Sequence, residues 1–121
     1  MPWSYSQSSG ALSHDRIFVA TGYSGKGVGL DNPDLQNVPD EGPIPEGTYT
    51  IGPASTHPGK GPVVMALEPD PSNQMFGRSG FLIHGDNAEM NHTASDGCII
   101  LGHDIREQID ESEDRVLIVT S

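Results

Sequence analysis

Apolar residues fall in short runs along the chain, each bounded by glycine, proline or polar residues, a rhythm that suits strands and tight turns better than a helical bundle. Residues 3–7 alternate, with Trp3 and Tyr5 on one side and Ser4 and Ser6 on the other, the pattern of a strand at a sheet edge. Residues 16–21 (RIFVAT) are rich in β-branched and aromatic side chains and stop at Gly22. Runs at 48–51 (TYTI), 63–67 (VVMAL), 81–84 (FLIH) and 98–101 (CIIL) predict further strands, and 115–120 (RVLIVT) predicts a central one. Only residues 104–112 read as a helix: Asp104 suits the N-cap, Glu107 follows three residues later, and Ile105 and Ile109 share a face. Between Gly22 and Gly47 the chain carries repeated Gly and Pro with no element of its own, the mark of a functional or a disordered loop. The expectation is a mostly β fold, a small β-sandwich or barrel with one short helix near the C-terminus, built as one domain over residues 1–121.

Composition supports this, with 15 glycines and 10 prolines in 121 residues to supply the turns. Seventeen acidic against six basic side chains give a net charge of -11, which repels nucleic acid and anionic membrane, so neither is expected as a partner. A single cysteine leaves no internal disulfide. The opening residues lack the basic-then-apolar pattern of a signal peptide, and no apolar stretch approaches the ~20 residues of a membrane span. The expectation is therefore synthesis in the cytoplasm, with any export by a route that removes no leader.

Chemically competent side chains gather between Arg78 and Leu101. His84 ends one apolar run and is followed by Gly85, while Cys98 opens another and is preceded by Ser95-Asp96-Gly97. If the two runs are neighbouring strands, imidazole and thiol meet at one edge of the sheet. A free thiol with pKa near ~8.5 is mostly protonated at neutral pH, and an adjacent imidazole can accept its proton. Gly97 leaves space for backbone N–H groups to meet an oxyanion, and Ser95 or Asp96 can order the loop or the imidazole. Other readings stay open at this level. Cys98 beside Ile99 and Ile100 is also a small buried hydrophobe, and His84 a structural polar residue. His84, Asp86, His92, Cys98 and His103 include zinc-ligand types, but their spacing matches no compact ligand pattern, so neither a metal nor another cofactor is expected. Gly25-Lys26-Gly27 lacks the strand-loop-helix setting of a phosphate-binding loop.

The His84-Gly85 pair and the later Ser95-Asp96-Gly97-Cys98 run resemble the signature of the YkuD-type L,D-transpeptidases. Asp96 replaces that family's second histidine, and Ile99, Ile100 and Leu101 replace its polar residues after the cysteine. The chain is most similar to a subgroup, the small L,D-transpeptidase-like antibacterial effectors delivered by type VI secretion, on the stretches 3–12, 42–49, 78–85 and 95–99. The resemblance implies a peptidoglycan stem peptide as substrate, Cys98 as nucleophile, His84 as general base, and Ser95 and Gly97 in the catalytic loop. It also implies action in the periplasm of a target bacterium, a D-amino acid as a second acceptor beside water, a secretion apparatus, and an immunity protein in the producer. The diaminopimelate side chain carries an ammonium, which Asp96 or Asp86 would meet, and a carboxylate, which Arg78 or Arg106 would meet. Gly85 and Tyr23 would border the substrate groove. A non-catalytic wall-binding or secretion-apparatus module on the same scaffold is the alternative. A cysteine peptidase of another kind usually places Cys before His, the reverse of the order here.

Overall fold

The computed structural model describes residues 2–57, 60–86 and 95–121. Along these, β1 (Trp3–Ser6), β2 (Ala11–His14), β3 (Ile17–Thr21) and β4 (Tyr23–Ser24) are followed by two single 3₁₀ turns, Gly27–Gly29 and Pro33–Leu35. After them come β5 (Gly47–His57), β6 (Gly61–Pro69), β7 (Leu82–His84), β8 (Ile99–Ile100), α1 (His103–Glu111) and β9 (Val116–Thr120). Hydrogen bonding joins the strands in the order β3-β2-β1-β9-β5-β6-β7-β8-β4. The two edge strands, β3 and β4, are separated in sequence only by Gly22, so the sheet curls until its edges meet and forms a nearly closed barrel. That seam requires glycine. The Gly22 N–H donates to the Gly10 carbonyl at 2.8 Å, and a Cβ on either residue would collide with a backbone oxygen.

Alternation along the strands fills the interior. Leu117 and Val119 of β9, Tyr49 and Ile51 of β5, Met65 and Leu67 of β6, and Trp3 and Tyr5 of β1 all point inward. Ile109 closes the core from the helix, and Ile83 and Ile99 from β7 and β8. Each such side chain contributes about 1.5–3 kcal/mol through burial, so the barrel is held largely by residues of the apolar runs.

Four expectations shift. β1 is not an edge strand but lies between β2 and a parallel β9, because two faces of polar and apolar residues say nothing about how many neighbours a strand hydrogen-bonds. β2 was not foreseen, since its sequence (ALSH) buries only Leu12. The helix begins at His103 with Gly102 as an extended N-cap, which leaves Asp104 in the first turn, where its charge still favours the helix dipole. The turn-rich stretch from Gly22 to Gly47 is ordered, carrying β4 and both 3₁₀ turns.

Candidate active site

Strand pairing sets His84 and Cys98 on one face of the sheet, two positions apart in register. β7 and β8 run parallel, with Ile83 opposite Ile99 and His84 opposite Ile100. Ile83 and Ile99 enter the core, so the alternate positions Leu82, His84 and Cys98 face away from it. These three line one cleft of about 260 Å³, with Asp40, Lys60, Ser79 and Asp96 around them.

The imidazole is 3% exposed, and its Nδ1 lies 2.7 Å from the Gly85 carbonyl oxygen. A carbonyl oxygen only accepts, so this bond assigns the proton to Nδ1 and leaves Nε2 with its lone pair. Burial holds His84 below its ordinary pKa; the Gly85 bond opposes this, and Lys60, Arg106 and His57 add to it. Burial pushes the Cys98 thiol up, against the pull of the Leu82 N–H at 3.3 Å from Sγ and of the Lys60 and Arg78 charges, while Asp96 raises it further. The pair therefore rests as neutral imidazole and neutral thiol near pH 7, an arrangement that suits proton transfer during attack rather than a standing ion pair.

The turn before Cys98 is tied down by two serines. The fully buried Ser95 donates its hydroxyl to the Cys98 carbonyl at 2.5 Å. It accepts from Gly25 N–H at 2.9 Å and Gly97 N–H at 3.1 Å. Ser24 donates to the Gly97 carbonyl at 2.9 Å and accepts from Ile44 N–H at 2.9 Å. Gly97 has φ +134, and a Cβ there would collide with the Arg78 guanidinium and come within 2.8 Å of the Phe81 ring. The Gly97 N–H, given to Ser95, helps to set the shape of the turn.

Both arginines expected to meet a substrate carboxylate are engaged by main-chain oxygens. Arg78 donates to the carbonyls of Gln36 (2.6 Å), Pro43 (2.8 Å), Gly42 (3.0 Å) and Asp96 (3.1 Å). It thereby staples the long Gly22–Gly47 segment to the Cys98 turn. Arg106 reaches Leu101 O (3.1 Å), Pro62 O (2.9 Å) and Val63 O (3.2 Å). The Asp96 carboxylate pairs with Lys26 at 2.6 Å, at a largely solvated site. Tyr23 donates its hydroxyl to Asp86 at 2.6 Å. These two line a second, wider cleft of about 460 Å³ with Gly85, Arg106 and Lys60. Of the predicted residues, His84, Asp96 and Cys98 line the first cleft and Tyr23, Gly85, Asp86 and Arg106 the second, and Lys60 is common to both.

Sequence reasoning missed Ser24, Asp40 and Lys60. None lies in the 78–101 stretch, and only the closure of the barrel brings β4 and the β5–β6 connection beside it. Of the zinc-ligand types considered, His92 lies outside the described residues; among the described residues no three His, Cys, Asp or Glu are grouped to hold a metal ion. No described helix is long and apolar enough to cross a membrane.

No curated protein matches the chain at a significant level. The family model of the Tlde1 domain matches residues 19–117, which run from β3 into β9 and contain His84, Cys98 and the turn between Ser95 and Gly97. The chain therefore belongs to the Tlde1 domain family, named for type VI secretion L,D-transpeptidase effectors that act on peptidoglycan.

Proposed function

We propose that the protein cleaves the bond between diaminopimelate and the terminal D-alanine of stem tetrapeptides, with Cys98 as nucleophile and His84 as general base. The observation that carries this is the parallel β7–β8 register, which sets thiol and imidazole in one cleft with Nε2 as the basic nitrogen. As Cys98 Sγ attacks the diaminopimelate carbonyl carbon, its proton passes to His84 Nε2. Collapse of the tetrahedral adduct breaks the C–N bond, and the imidazolium returns the proton to the leaving amine of D-alanine. The thioester then passes its acyl group to water, giving a shortened stem, or to the amine of a D-amino acid, giving an exchanged one. Action in the periplasm of a target cell follows from where that substrate lies, and an immunity protein in the producer follows from the toxicity of the product.

Purified tetrapeptide muropeptides, incubated with the protein with and without an added D-amino acid, should lose D-alanine and gain the exchanged residue by mass spectrometry. Cys98→Ala should abolish both while keeping the wild-type unfolding free energy to within about 1 kcal/mol. Full activity in that variant refutes the mechanism.

A further inference from the structure

The chain has six cationic side chains of Lys and Arg, and their engagements narrow the choice of a substrate carboxylate partner. Arg78 and Arg106 are bonded to carbonyls as above. Arg115 is likewise bonded, to the carbonyls of Gly52 (2.6 Å) and Ile51 (3.2 Å) among others. Lys26 is paired with Asp96. Arg16 lies in the β2–β3 turn and lines neither of the two clefts. Lys60 is different. It is exposed, and it lines both the cleft of Cys98 and the wider cleft beyond His84. Its charge acts on both reacting groups, pulling the pKa of Cys98 and of His84 downward. Among the described residues no carboxylate pairs with it.

Asp40 and Asp96 also line the Cys98 cleft and extend into a smaller pocket with Pro39, Gly77 and Arg78, while Lys60 extends from the Cys98 cleft into the wider one.

We infer that Lys60 recognises the free C-terminal carboxylate of the stem peptide, which makes the site selective for removing a terminal residue. The inference rests on the reaction proposed above. In that reaction the terminal carboxylate is separated from the attacked carbon only by the amide nitrogen and one Cα. The carboxylate on the diaminopimelate side chain lies a full aliphatic chain away. A cation within the nucleophile's own cleft therefore meets the terminal group. The same geometry serves exchange, because an incoming D-amino acid places its carboxylate where the leaving D-alanine had it. Stems whose terminal residue is amidated or extended lose the contact.

The test compares a tetrapeptide stem bearing a free terminal carboxylate with two analogues, one amidated at the C-terminus and one amidated on the diaminopimelate side chain. Wild-type protein, Lys60→Gln and Lys60→Arg are assayed on each. Wild type should prefer the free acid to the terminal amide by about tenfold in kcat/KM, the size of one charge-assisted hydrogen bond at a partly solvated site. Lys60→Gln should reduce that preference to near unity, chiefly through KM, and Lys60→Arg should restore most of it. Because Lys60 also shifts the pKa values of Cys98 and His84, the ratio between substrates is the deciding quantity, not the absolute rate. An unchanged ratio in Lys60→Gln overturns the inference while leaving the proposed reaction standing, as does loss of discrimination only against the side-chain amide. Absence of D-alanine release by wild type from every substrate overturns the reaction and the inference together.

Discussion

Replacing Ser95 with alanine removes one oxygen atom from the turn before Cys98, and its cost can be worked from the bonds that oxygen makes. The hydroxyl joins Gly25 N–H, Gly97 N–H and the Cys98 carbonyl at a side chain with 0% exposure. Alanine fits the space, so no clash or sizeable cavity enters the sum. What remains is two buried amide donors without an acceptor, each costing about 1–3 kcal/mol, and a carbonyl that loses its donor. Part is recovered as the turn relaxes, which leaves a net destabilisation of about 2–4 kcal/mol. Against a typical ~5–15 kcal/mol of total stability, that is a large loss from one atom. Urea unfolding followed by far-UV circular dichroism should show a lower midpoint with an unchanged slope. The same turn positions Sγ, so kcat for D-alanine release should fall at least tenfold at a temperature where the variant is still folded. A destabilisation below about 0.5 kcal/mol together with wild-type kcat would show that the serine does not hold this turn, and the account of the loop would be wrong.

Two further outcomes follow from the same geometry. Arg78→Lys keeps the charge but cannot fork to four carbonyls, so unfolding should show a loss of about 2–3 kcal/mol, while KM for substrates with and without the diaminopimelate carboxylate should change in parallel; a selective rise for the carboxylate form would return Arg78 to substrate binding. The His84 pKa is lowered in the fold, so the basic imidazole should persist below its ordinary value and kcat/KM should rise with pH through an apparent pKa under ~6.5. The sign for stability is the same: between the unfolded imidazole pKa and the lower folded one, the unfolded chain binds the proton first and stability falls as pH falls. An acid limb centred above pH ~7 would contradict the burial argument.

Much of the candidate pair was legible because its signal is local. His84-Gly85 and Ser95-Asp96-Gly97-Cys98 each sit at the end of an apolar run, and a residue at a strand end is free to face a cleft while the strand itself fills the core. The glycine at 97 was also readable, and the structure adds to the reasons for it a positive φ and close packing against Arg78 and Phe81. The arginines misled. A guanidinium near a candidate site suggests carboxylate recognition, but whether its donors are already taken depends on which carbonyls the fold brings around it. Gln36, Gly42, Pro43 and Asp96 converge on Arg78 from two separate segments.

By itself, the sequence determined the strand-rich class with one short helix and offered the candidate thiol and imidazole, since strand-forming runs and turn chemistry act over a few residues. The tertiary structure alone decided that β7 and β8 pair in parallel, at a register that leaves His84 and Cys98 lining one cleft. It alone closed the sheet through Gly22 and carried Ser24 and Lys60 to the site. Strand partners and register are chosen by burial and hydrogen bonding summed over the whole barrel, and no short stretch of chain contains that sum.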